Sequence, residues 1–414
     1  MSIENLKKKS NYYYIYIFLL FNTLLSVAFF AGTSLESQLN LSGGERFFIS
    51  STILFLIINS ISVIYLIFGK YKVDGNSNYL LYFFSTIIIF KGFLSFNADE
   101  NILFSFNAFL LLVLTVNAFL LSYFILGKEL YVEGLVNVVR GFSAISVLIG
   151  GVMLINGEFP LLFTTLNQFG NYPRMYSWYG NPNIMATTLG VALLLTFKPK
   201  NKIETVLSFL FFIGLLFTGS KGVILALILT ILIYLLINFI YLKKYSSSFR
   251  GKVSIIIFLI LSLLLGVSFY DFFYESIFRM NADDISSGSG RLDIWMEVVR
   301  TMEVMSSWEL LFGMGYGSFS EDFSKSAHSF YVKTIYEDGV LFLIMFFAYI
   351  FLSVIRSLKD YNKSSDFVSI SYFFICTFLL LRGGSSPTFF QGKVEFYIFL
   401  ILSIPLFFKS KCKV

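Results

Sequence analysis

With one histidine, two cysteines and six prolines in 414 residues, the chain has little to offer several kinds of chemistry. A lone imidazole, His328, excludes a histidine metal cluster. The cysteines, Cys376 and Cys412, fall in an apolar run and in the terminal tail, so no disulfide framework is expected. Charged residues amount to 14%, against about 25% in soluble domains. There is no phosphate-binding Gly-Lys-Ser/Thr loop and no dinucleotide fingerprint. Nor is there a carboxylate cluster of the kind that holds Mg²⁺ on a nucleotide-sugar. No cofactor or metal is therefore expected. Any group transfer must draw its energy from a substrate that arrives already activated.

What the chain has in quantity is apolar length. Hydrophobic residues make up 57%, with 52 Phe. That composition predicts an all-α polytopic integral membrane protein. A span needs about 20 apolar residues. Twelve stretches are candidates, the sixth and eleventh of them short: 12–31, 47–68, 79–97, 101–126, 138–156, 183–197, 203–219, 221–242, 253–274, 329–355, 367–381 and 393–408. They make residues 1–414 a single transmembrane domain with no internal repeat. The run from Tyr12 to Ala31 follows Lys7-Lys8-Lys9 and is long enough to span, so it reads as a first helix and not as a removed signal peptide.

The net charge of +6 does not point to nucleic acid, because the lysines lie between apolar runs. With the N-terminus inside, 20 of the 31 basic residues fall in inside loops, most of them short. Both termini are then cytoplasmic, and the loops 157–182 and 275–328 face outward. Arg174, Lys221, Arg291, Lys333 and Arg382 fall on the outer side, against the usual bias, which suits an anionic ligand there. From Arg291 onward Leu292, Trp295, Met296, Val299 and Met302 recur at helical spacing. This predicts an amphipathic helix lying on the outer membrane surface, with Ser289 as its cap.

Five short motifs stand out in the polar parts. They are Arg174-Met-Tyr-Ser-Trp-Tyr-Gly-Asn-Pro-Asn183, Thr218-Gly-Ser-Lys-Gly222, Gly290-Arg291-Leu-Asp-Ile-Trp295, Gly313-Met-Gly315, and His328 followed by Glu337-Asp-Gly339. Guanidinium forks match phosphate oxygens, and Arg291 in a first helical turn lies near backbone donors. The rival reading for Arg291 is a surface arginine paired with Asp293 or with headgroups. Trp178 beside Arg174 offers an aromatic face for a sugar, or simply belongs to an interfacial belt. Lys221 either contacts the anion or caps a tight turn. A neutral imidazole at His328 can accept a proton from a sugar hydroxyl, with Glu321 and Asp322 as rival bases. Lys333 and Glu337 are one turn apart and can pair.

Together these motifs resemble the family of O-antigen polymerases and O-antigen ligases over roughly residues 170–345. The resemblance implies a glycosyltransferase of the bacterial inner membrane. Its substrates would be glycans on undecaprenyl pyrophosphate, and it would work beside a flippase and a chain-length regulator. It implies catalytic roles for His328 and Arg291. It also implies pyrophosphate or sugar contacts at Arg174, Trp178, Asn183, Lys221, Glu337 and Arg382. Lys221 stands where the family usually has arginine, and Ser329 where asparagine is commoner. Polymerisation of repeat units is the expected reaction. Ligation to lipid A-core and transport of the same lipid-linked glycans are the alternatives.

The topology makes a direct prediction. Cysteines introduced at Ser287 and Ser246 should label oppositely with an impermeant thiol reagent on intact cells, Ser287→Cys reacting and Ser246→Cys not.

Overall fold

The computed structural model describes residues 12–21, 23–25, 119–120, 122–156, 174–179, 181–197, 201–240, 291–315, 318–323, 327–364, 367–385 and 394–407. Every described element is helical. In chain order they are α1 (Tyr12–Leu25), α2 (Lys128–Asn156), α3 (Pro182–Leu195), α4 (Lys202–Phe217), α5 (Lys221–Ile240), α6 (Arg291–Val304), α7 (Ser307–Phe312), α8 (Ser318–Phe323), α9 (Phe330–Ser364), α10 (Phe367–Gly383) and α11 (Val394–Phe407). A 3₁₀ turn, Ser177–Tyr179, precedes α3. The expected spans at 47–68, 79–97 and 253–274, and most of 101–126, lie outside the described residues. So do 157–173 and 275–290 of the expected outer loops.

Two described helices, Lys128–Ile155 and Phe330–Lys363, are long and apolar enough to cross a membrane. The others are shorter. α3 and α4 begin and end within two residues of the expected sixth and seventh spans. The expected fifth span starts ten residues early, at Lys128, because Gly127 (φ 78°) turns the chain and helix resumes at once. Its added N-terminal turns are not solvated loop: Tyr131 is buried, stacked on Tyr16, and its hydroxyl donates to the Ile401 carbonyl at 3.1 Å.

The main core joins α1, the helical residues 119–120 and 122–126, α2, α3, α4, α5, α9, α10 and α11. α3 lies at its centre, buried along almost its whole length. Small residues let neighbours approach. Gly190 accepts the Phe378 ring from α10, and Gly214 accepts Val147 and Met175. Without a hydrophobic drive between helices in lipid, close approach of this kind is what holds them.

A second, smaller core lies apart from the first. Ile294 and Val298 of α6 pack against Phe319 and Phe323 of α8, Ala327, and Tyr336 near the start of α9. The helix starts at Arg291 as predicted, and its Ile294–Val298 face turns to protein. Met296 and Val299, expected in the buried stripe, are more than half exposed. Periodicity finds a stripe, and here two stripes overlap; the choice between them is made by Phe319, Phe323 and Tyr336, which are distant in sequence.

The two parts meet at a backbone crossing. α9 is interrupted at Gly339, whose φ of 82° and ψ of 167° are not helical. The carbonyls of Tyr336 and Glu337 turn to the loop after α7: Met314 N–H donates to Tyr336 at 2.8 Å, and Gly315 N–H to Glu337 at 3.0 Å. Gly313, also at positive φ, faces this break. A Cβ on Gly313 would lie 2.3 Å from the Glu337 carbonyl oxygen, and one on Gly339 would lie 2.3 Å from that of Leu311. The Gly-Met-Gly and Glu-Asp-Gly motifs are thus two halves of one contact that only glycine allows. α7 is set against it by a capping box between Ser306 and Glu309.

Gly339→Ala should cost roughly 2–4 kcal/mol, combining a left-handed alanine with backbone overlap. Gly141→Ala, where a Cβ meets nothing within 4 Å, should be neutral or slightly stabilising. Thermal unfolding of the two variants in detergent tests the contrast.

Candidate active site

The turn between α4 and α5, residues 218–222, gathers most of the expected cations. α4 ends at Thr218, and Gly219 follows at φ 60°, a left-handed helix stop. The last carbonyls of α4 need donors. Met175 N–H donates to Phe217 at 3.1 Å, and Arg174 Nε to Thr218 at 2.6 Å. Any side chain on Gly219 would press on that guanidinium, since its Cβ would lie 3.3 Å from Arg174 Nε.

Asn183, in the first turn of α3, locks this arrangement. Its side-chain oxygen accepts from Arg174 Nη2 at 3.3 Å and from Ser220 Oγ at 2.8 Å. The helix start is itself fixed by Asn181, whose side chain accepts from Asn183 N–H at 2.8 Å, with Pro182 pre-set for the first turn. Asn-Pro-Asn is therefore a cap, a starter and a bridge.

Arg382 approaches the same turn from the other side. It is 3% exposed and stands in the last turn of α10, where a cation suits the helix dipole. Its Nη1 donates to Ser385 Oγ. A Cβ on Gly222 would lie 3.0 Å from that Nη1. Lys221, half-buried, is the residue between Ser220 and Gly222 and opens α5. Arg174, Lys221 and Arg382 are thus attached to one five-residue turn.

His328 reaches this region through its neighbour. Ser329 accepts from Val332 N–H at 3.4 Å, which caps α9, and its hydroxyl donates to the Gly383 carbonyl at 3.5 Å. Gly383 follows Arg382. Tyr331 adds a hydroxyl bond to the Leu380 carbonyl. His328 itself is exposed, with φ at 49°. The other non-glycine residue with positive φ among those described is Ser177, three residues after Arg174. Backbone strain of this kind persists where surroundings over-determine it, and it clusters at functional sites.

Other expected residues lie elsewhere or differ. Trp178 is buried, its indole stacked on Phe142 at 5.0 Å between centroids, so one ring face belongs to the core and not to a sugar. Glu337 pairs with Lys333 at 3.4 Å, as their spacing suggests, and is 1% exposed. Arg291 opens α6, but its side chain lies outside what is described, as does that of Glu321. Asp322 accepts from Tyr336 at 2.5 Å. Ser220, Ser329 and Ser385 hold the site together, and nothing in their spacing marks them beforehand.

Among the described residues the molecule is all-helical, with two helices fit to cross a membrane and with Arg174, Lys221 and Arg382 at one end of its bundle. Residues 206–347 match the family described as O-antigen ligase. This match supports the O-antigen polymerase and ligase family, which is membrane-integral in bacteria and whose members are glycosyltransferase-like enzymes acting on lipid-linked glycans. No curated protein matches the chain. The matched residues include Lys221, Arg291, His328 and Glu337, while Arg174, Asn183 and Arg382 lie beyond them and reach the domain through the contacts above.

Asn183→Ala removes the acceptor shared by Arg174 and Ser220. It should lower stability by about 1–3 kcal/mol. A melting temperature unchanged from the parent would show that the bridge contributes nothing.

Proposed function

We propose that this protein polymerises oligosaccharide repeat units carried on undecaprenyl pyrophosphate, building O-antigen or capsular polysaccharide at the outer face of the inner membrane. The observation that carries this reading is the attachment of Arg174, Lys221 and Arg382 to the turn 218–222, with His328 tethered beside Arg382. Buried cations are costly unless an anion or water meets them. A pyrophosphate supplies two negative centres and a leaving group. Arg291 and the three turn cations would stabilise its growing charge without a metal. Asn183 holds Arg174 in place, and Glu337 offsets Lys333 near the start of α9.

The reaction is a single displacement. The acceptor hydroxyl oxygen attacks the anomeric carbon of the donor. The bond from that carbon to the pyrophosphate oxygen breaks, and its electron pair leaves on the pyrophosphate. His328 takes the hydroxyl proton as the new glycosidic bond forms. This role requires the neutral imidazole.

A second reading follows from the matched family's description. In ligation the acceptor is lipid A-core, and donor chemistry at the cations is the same. A deletion strain read by polysaccharide ladder separates the two. Loss of polymer with one repeat unit still attached to its normal acceptor means polymerase, and loss of every attachment means ligase. Outward-facing lipid-linked units that disappear altogether would mean transport.

Within the polymerase reading, His328→Gln should reduce polymer formation by about 10² to 10⁴ while donor still binds. Arg291→Lys keeps charge but not the fork and should also impair activity. Parental polymer length in the glutamine variant would reduce His328 to positioning the acceptor.

A further inference from the structure

Trp295 belongs to the motif that carries Arg291, yet the reading above gives it no part. In sequence it looks like one apolar position on an amphipathic helix. In the structure its indole Nε1 donates to the Ala327 carbonyl at 2.9 Å, across 32 residues of chain. Ala327 is 3% exposed and belongs to the small core with Ile294 and Val298. It immediately precedes His328.

His328 is therefore held from both sides. Before it, the Ala327 carbonyl is bonded to the tryptophan of α6. After it, the Ser329 hydroxyl is bonded to Gly383 at the end of α10. Between these anchors His328 is exposed and sits at φ 49°, a conformation that L residues rarely adopt without enforcement. If the Trp295 bond were removed, the peptide between residues 327 and 328 would be free to turn, and the left-handed residue could relax. The ring packing of Trp295 against the small core is a separate matter from its N–H, and a substitution can divide them.

We propose that Trp295 is a positioning residue that fixes the backbone and ring of His328. This rests on the reading of His328 as the base for its catalytic consequence, though not for its structural one. Because Trp295 follows Arg291 by four residues on one helix, α6 also ties the placement of His328 to that of the arginine. A hydrogen bond to a backbone carbonyl is well suited to the task, since it sets the peptide plane and leaves the imidazole unencumbered. Small displacements of a proton acceptor are costly in rate, about 10²-fold for an ångström.

The test uses the fact that His328 is the chain's single histidine. In full-length protein with isotope-labelled histidine, in lipid nanodiscs, the imidazole resonances and their pH titration report on this residue alone. Trp295→Phe keeps an aromatic ring and loses the donor. It should shift or broaden the imidazole signals and move their titration. In the native host it should cut polymer on the ladder by roughly 10- to 100-fold. Val298→Ala loosens the same small core without touching the bond, and it should leave the imidazole signals as in the parent. The double variant Trp295→Phe/His328→Ala should be no worse than His328→Ala alone.

Parental imidazole signals in Trp295→Phe would overturn the proposal whatever the activity. So would an equal shift in Val298→Ala, which would show general loosening, or further loss in the double variant, which would give Trp295 an independent role. If His328→Ala polymerises normally, the base reading fails, and the imidazole signals still decide whether Trp295 holds the residue.

Discussion

A crossing of two backbones at Gly313 and Gly339 is the constraint on which the arrangement of the polar region depends. It stops a 35-residue helix short of one continuous rod and hands its freed carbonyls to a loop. Backbone bonds of this sort do not depend on side-chain identity, only on the absence of a Cβ at two positions. They define where the apolar length of α9 begins and where the polar chemistry above it ends. The small core of α6, α8 and the first turns of α9 is built on that junction. His328 lies between the small core and the main bundle, with one anchor in each.

The cations obey a different economy. Arg382 is nearly sealed from solvent, and Arg174 is spent partly on capping α4. Each gives donors to carbonyl, amide or hydroxyl oxygens, as five-donor guanidinium allows. This accounts for arginine at both places, whereas the turn itself carries Lys221.

Much of the bundle was legible from apolar length alone. α3, α4, α5, α10 and α11 fall near their expected limits, and the structure shows Asn181 and Asn201 capping α3 and α4 at their starts. The extension of α2 to Lys128 was not legible. Its polar residues look like a loop, and only packing on Tyr16 and Ile401 explains why they stay helical. In the candidate site, Arg174, Asn183, Lys221 and Arg382 were identifiable as cations or polar groups on one side. Their meeting at a single turn was not, because it depends on contacts from residues distant in sequence, Asn183 to Ser220 and Arg382 beside Gly222. Trp178 misled for the opposite reason. A tryptophan beside an arginine looks like a sugar platform, and the 3₁₀ turn places it against Phe142 instead.

The shortness of α3 has a consequence for the whole bundle. Fourteen residues of helix rise about 21 Å, against a hydrocarbon layer of about 30 Å. At the end away from Asn183, Phe197 packs against Tyr234 and Phe374, residues well inside α5 and α10. The neighbouring helices therefore continue past the end of α3. There Arg140 binds Glu204 at 2.9 Å and the Leu195 carbonyl at 3.2 Å, so a partly buried ion pair stands at one end of α3 and the Asn183–Arg174 bridge at the other.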